Sequence, residues 1–187
     1  MGIEMRVIAG TARSLRLFGP DGQGTRPTTD RIKETLFNVL QNEIPGCNFL
    51  DLFSGSGAIG IEALSRGAQK AVFIENDKKA QQCIEQNLEH TKFKEKALLL
   101  KQDVFVSLSF LEYKETFDII FMDPPYDQEL EKKVLEYLTT SSILMEDTLI
   151  VFEASLDTEI DYLEELGYEL VKEKRYKTNK HVFVKKR

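Results

Sequence analysis

The tetrapeptide Asp123-Pro124-Pro125-Tyr126 stands directly behind the apolar stretch 117–122. An acid, two prolines and an aromatic ring in that order suit one task, the presentation of a base amine to an electrophilic carbon. Such an amine is a poor nucleophile, because its lone pair is delocalised into the ring. Acceptors on both of its N–H groups draw the nitrogen toward sp³ and aim the lone pair outward. The Asp123 carboxylate and the Pro124 carbonyl supply two acceptors. The prolines fix the backbone and remove N–H donors that would compete. Tyr126 offers a face on which a base extruded from its stack can lie.

A second constellation names the donor of that carbon. The run 49–52 leads into Phe53-Ser54-Gly55-Ser56-Gly57-Ala58-Ile59-Gly60, a G-x-G-x-x-G turn, and Glu75 follows twenty positions after Gly55. Glycines allow the turn and a close ligand approach, and the following helix offers free N–H groups. An acid at Glu75 is placed to accept ribose hydroxyls. The glycines alone also suit a nicotinamide dinucleotide. Asp51, ahead of the loop, favours a cofactor with positive charge and no phosphate, as in S-adenosylmethionine with its ammonium and sulfonium. An NAD-dependent oxidoreductase stays open as an alternative, but it leaves 123–126 idle.

These residues need a scaffold that gathers strand ends. Apolar runs at 49–52, 71–74, 97–100, 117–122 and 148–152 read as buried strands. Between them, 58–66, 78–90, 104–111 and 130–138 repeat apolar positions near the helical period. That alternation predicts an α/β fold with a mostly parallel sheet covered on both faces. Ligands of such sheets bind beyond the carboxyl ends of the strands, where both constellations fall. Outside the alternation, 6–9 and 15–18 suggest a small β-hairpin, and a helix is expected over 30–44, capped by Thr28 or Thr29. Near the end, a helix over 158–166 precedes strands at 168–176 and 181–185, a hairpin adding an antiparallel edge. The chain divides into an N-terminal extension, 1–27, and a catalytic domain, 28–187.

The segment Asp51 to Ala68 with Glu75 and the Asp-Pro-Pro-Tyr tetrapeptide resembles the class I S-adenosylmethionine-dependent methyltransferases that act on base amines. With Arg6-Val7-Ile8-Ala9-Gly10 and the segment from Arg26 to Phe37, the whole chain resembles the bacterial small-subunit (16S) ribosomal RNA guanine-N2 methyltransferases. The resemblance implies a Rossmann-like fold with a seven-stranded sheet, a C-terminal antiparallel hairpin and an N-terminal β-hairpin. It implies S-adenosylmethionine as cofactor, held by Asp51, Ser54, Gly55, Gly57, Glu75, Asn76, Asp103, Val104 and Thr28. Asp123, Pro124 and Tyr126 become the catalytic set, with no metal, and Arg13, Arg16, Arg26 and Arg31 the RNA contacts. Asp103 also reads as a helix N-cap. Alternatives are an adenine-amine methyltransferase of DNA or RNA and a non-catalytic RNA-binding ribosome-assembly protein.

Composition first argues against a nucleic-acid partner, because 31 acids outnumber 25 bases for a net charge of -6. The distribution reverses that inference. Residues 1–33 hold six bases against three acids, and 170–187 hold eight against one. Phosphate contacts need such clusters, although lysines on an edge strand also guard against aggregation. No apolar run approaches the roughly 20 residues that span a bilayer. Cys47 and Cys83 lack metal-site spacing and read as reduced core residues, while His90 and His181 read as structural. A cytoplasmic, monomeric protein without membrane association is expected.

Overall fold

The structure, a computed structural model, describes residues 5–20 and 28–187. Its centre is a seven-stranded sheet in the order β5-β4-β3-β6-β7-β9-β8. The strands are β3 (Asn48–Leu52), β4 (Lys70–Ile74), β5 (Ala97–Leu100), β6 (Phe117–Met122), β7 (Leu144–Ser155), β8 (Tyr168–Arg175) and β9 (Asn179–Lys186). Strands β3 to β7 pair in parallel, and β9 runs antiparallel to both β7 and β8. The central parallel strands β3, β4 and β6 are buried on both faces, which is why they read as nearly unbroken apolar runs, while β5 at the edge is half-buried.

Helices cover each face. Leu36, Phe37 and Leu40 of α1 (Asp30–Leu40), Ile61 and Leu64 of α2 (Ala58–Ser65), and Ile84 and Leu88 of α3 (Lys78–His90) share one core. Val104 and Leu108 of α4 (Val104–Leu111), Val134 and Leu138 of α5 (Leu130–Leu138), and Leu163 of α6 (Tyr162–Glu165) share the other. The strand order reverses between β3 and β6, and this places a crevice above their C-terminal ends. The expected Rossmann-like α/β architecture is the one observed.

Several boundaries differ from expectation: β1, β2 and β7 span Met5–Arg6, Arg16–Leu17 and Leu144–Ser155 rather than 6–9, 15–18 and 148–152. Helix α1 stops at Leu40, after which turns carry the chain to Pro45. The helix expected over 158–166 is only α6, because a turn joins Ser155 to Thr158 and the Thr158 carbonyl accepts from Lys180. Strand β9 begins at Asn179 and lies between β7 and β8, so His181 is on an interior strand rather than an edge.

The N-terminal hairpin, β1 (Met5–Arg6) with β2 (Arg16–Leu17), is docked on α2. Val7, Ala12 and Leu17 belong to the same core as α1 and α2. Its connecting loop satisfies the C-terminal end of α2, where helix carbonyls lack internal partners. Thr11 donates to the Ser65 carbonyl at 2.8 Å, and Ala12 donates to the Ser65 hydroxyl at 3.0 Å. Gly10 allows this approach, because a Cβ there would lie 1.9 Å from the Ser65 oxygen.

The anchor beneath the hairpin is Glu62, a fully buried carboxylate on an otherwise apolar helix. It accepts from the backbone of Ile8 and Ala9 and from Arg66, with the Lys33 ammonium 3.8 Å away. Lys33 is itself buried, donates to the Arg6 carbonyl at 2.5 Å and has its pKa lowered, chiefly by desolvation.

Candidate active site

The site is a row of strand ends. Residues following β5, β4, β3 and β6 place Asp103, Glu75, the glycine loop and Asp123 along one edge of the sheet, with Glu153 near the end of β7. Sequence-distant motifs therefore meet because parallel strands end on the same side.

The glycine loop is held from behind. Asp51 is buried, and its Oδ2 accepts from Gly60 N–H at 3.0 Å, which ties the end of β3 to the first turn of α2. Burial pushes this carboxyl well above the usual carboxylate range against the Gly60 hydrogen bond, and the nearby Asp123 and Glu75 push it further. Both motif acids thus act on one buried group between them. The Ser54 hydroxyl donates to the Asp51 carbonyl at 2.6 Å and accepts from Ile74 N–H at 3.1 Å, so it braces the loop across two strands.

Two glycines do different work. Gly55 has φ +56°, and a Cβ there would meet nothing within 4 Å, so its outer side is open. Gly60 permits close helix–strand packing, since a Cβ would fall 2.3 Å from the Phe73 ring. Gly57, at φ +79°, begins α2. Phe53 also has a positive φ of 58°, an uncommon state for a bulky residue, and this strain marks the turn from β3 into the loop.

Glu75 completes the cradle. One carboxylate oxygen accepts from Gly55 N–H at 2.8 Å and the other from Asp77 N–H at 2.9 Å. Each keeps a further acceptor lone pair for a ribose hydroxyl. Asn76 is exposed beside it. Asp103 is exposed and caps α4 through Phe105 N–H at 2.8 Å. The Val104 side chain is packed into the core, which leaves its backbone as the part available to a cofactor. An open glycine, an acid holding the loop and a further acid one strand over fit a nucleoside cofactor whose ribose hydroxyls and base amine can donate to them. Thr29, not Thr28, caps α1, accepting from Ile32 N–H at 3.3 Å; Thr28 is half-buried just ahead of it.

Across the crevice, Asp123 follows β6. Burial pushes its carboxyl up to about 8, and the Glu153 charge adds to the effect. Pro124 is buried and Tyr126 is 48% exposed, an aromatic face in reach of solvent. Sequence reasoning passed over Glu153, although it bonds the tetrapeptide directly. Its Oε1 accepts from the Tyr126 hydroxyl at 3.1 Å and from Asn179 Nδ2 at 2.8 Å. His181 is fully buried, with Nε2 3.3 Å from Glu153 Oε2 and Nδ1 3.2 Å from the Tyr176 hydroxyl. The signal was a glutamate inside an apolar strand, one register step beyond the Met122–Phe152 pair.

The basic residues divide. Arg13, Arg16 and Arg31 are exposed at the hairpin and the start of α1, while Arg26 lies outside the described residues. In the C-terminal cluster, Lys180 is buried against the Thr158 carbonyl, Arg175 pairs with Glu173 and Lys186 donates to the Thr139 carbonyl. Much of that cluster therefore serves the hairpin itself. No described helix is long and apolar enough to cross a membrane.

Known proteins resemble this chain over most of its length. The family model described as conserved hypothetical protein 95 matches residues 5–185. Ribosomal RNA small subunit methyltransferase D of Haemophilus influenzae is 39% identical over 158 residues, covering 82% of this chain and 80% of that protein. Its Escherichia coli counterpart is 38% identical over 155 residues, covering 82% and 76%. A solved Escherichia coli structure described as a methyltransferase superposes with a TM-score of 0.82 at 33% identity over 98% of each chain. Sheet order and similarity over most of the chain agree: the chain belongs to the conserved hypothetical protein 95 family, alongside ribosomal RNA small subunit methyltransferase D.

Proposed function

We propose that the protein methylates the N2 amine of a guanine in small-subunit ribosomal RNA, using S-adenosylmethionine. The observation that carries this reading is Asp123 with Pro124 at the end of β6, facing the crevice that the glycine loop and Glu75 border. S-adenosylmethionine, when bound, supplies a methyl group activated by its sulfonium.

The residues divide the work. Glu75 takes the ribose hydroxyls, and the open side of Gly55 lets the cofactor approach the backbone. Tyr126 stacks on the extruded base, an interaction worth about 1–3 kcal/mol for a base on an aromatic ring. Asp123 and the Pro124 carbonyl accept the two N2 hydrogens and turn the nitrogen lone pair toward the methyl carbon. Methyl transfer would leave positive charge on N2, and the Asp123 carboxylate is placed to stabilise it. Before the base binds, burial holds the proton on Asp123 up to about 8; the N–H donors of the bound base favour the ionised carboxylate, which can then take the proton that N2 loses. Arg13, Arg16 and Arg31 contact phosphates and orient the RNA. The basic extension 1–27 and the catalytic body 28–187 are the two working parts of one monomer, whose task places it in the cytoplasm.

The test compares wild type with Asp123→Asn in single-turnover methyl transfer and in cofactor binding by calorimetry. Binding within about threefold of wild type with transfer reduced by roughly 10²–10⁴ supports the assignment. Wild-type transfer by the variant overturns it.

A further inference from the structure

Glu153 has no role in the mechanism above, yet it is held with unusual care. Parallel pairing of Met122 with Phe152 sets it beside Asp123. Oε1 is filled by Tyr126 and Asn179, whereas Oε2 meets, among the described residues, the His181 ring at 3.3 Å. An acceptor lone pair on Oε2 therefore stays available beside the tetrapeptide. The His181 ring that fixes Oε2 is locked edge-on against Phe121 and Tyr176, with centroids at 5.9 and 5.1 Å.

Burial, and after it the Glu153 charge, raises the proton affinity of Asp123, and the two carboxylates repel when both are ionised. A ligand edge with two adjacent N–H donors relieves that repulsion. Guanine has such an edge, since N1–H and the N2 amine stand side by side. Adenine offers an amine beside an unprotonated ring nitrogen, which would set a lone pair against a carboxylate.

We propose that Glu153, oriented by Asn179 and the buried His181–Tyr176 pair, accepts the N1–H of the target base while Asp123 accepts from its N2 amine, so that Glu153 selects guanine. This rests on the guanine-N2 reading and adds a specificity residue to it. Sites that hydrogen-bond a substrate group reject analogues lacking it far more strongly than apolar pockets reject a missing methylene. Glu153 carries that discrimination here.

The experiment uses synthetic small-subunit RNA with guanine or 2-aminopurine at the position that the enzyme methylates. 2-Aminopurine keeps the N2 amine but has an unprotonated N1. For wild type, kcat/KM on guanine is expected to exceed that on 2-aminopurine by ~10²-fold or more. For Glu153→Gln, whose amide can donate to N1, the ratio is expected to fall below about tenfold, with cofactor binding unchanged. A purely structural Glu153 would lower both substrates together and keep the ratio, and that result overturns the proposal. So does a wild type that methylates both bases equally, an arm that depends on no variant folding. Methylation of neither base, where cofactor still binds, overturns the guanine reading and this inference with it.

Discussion

Glu62 should be the point at which stability and RNA recognition are joined. Its carboxylate is fully buried between the hairpin backbone, Arg66 and Lys33. Removing one member of a buried ion pair strands the other, at a cost of about 3–5 kcal/mol. Against a total of about 5–15 kcal/mol, that is a large fraction. Glu62→Ala also deprives the backbone N–H groups of Ile8 and Ala9 of their acceptor, so the loss falls first on the hairpin. Lys33 limits the damage, because burial already favours its neutral form. We expect Glu62→Ala to cost about 3 kcal/mol in urea denaturation and Lys33→Met less, with the double variant falling short of their sum by roughly 1 kcal/mol or more. Because Arg13 and Arg16 ride on the same loop and strand, affinity for ribosomal RNA should fall about tenfold or more while cofactor affinity holds. Strictly additive losses, or equal losses of RNA and cofactor binding, would refute the anchoring argument.

Other expectations are narrower. Asp123→Asn should stabilise the protein increasingly as pH rises from 5 to 8, read as the Tm difference from wild type. The native carboxyl holds its proton up to about 8 while the unfolded chain releases it near 3.8, so wild-type stability is lost across that window. Gly60→Ala, by forcing a methyl into the Phe73 ring, should cost about 1–3 kcal/mol by denaturation and raise the KM for the cofactor. Arg13→Gln with Arg16→Gln should reduce the slope of log affinity against log salt by about 1–2.

The central strands β3, β4 and β6 were legible because they are short apolar runs buried in the sheet, and the helices because they repeat apolar positions at their own period. Motif positions followed, since acids and glycines at strand ends can only collect on one edge. What escaped depended on pairing. Nothing local to 179–186 says whether that strand or 168–175 lies against β7, and only the former brings Asn179 and His181 to Glu153. Val104, a cofactor contact that the family resemblance implies, keeps only its backbone for that role, because its side chain packs into the core. Glu62 did leave a trace, as the one charge in the apolar helix Ala58–Ser65. Such a charge asks for a buried partner, but not which one; Lys33 and the hairpin backbone answer only in three dimensions.

The central claim is the base and atom that receive the methyl group. Small ribosomal subunits from cells lacking the enzyme, incubated with it and labelled S-adenosylmethionine and then digested to nucleosides, address it directly. The account predicts label in N2-methylguanosine alone, at one molecule per subunit. Label on adenosine, or none on the ribosomal RNA, would contradict it.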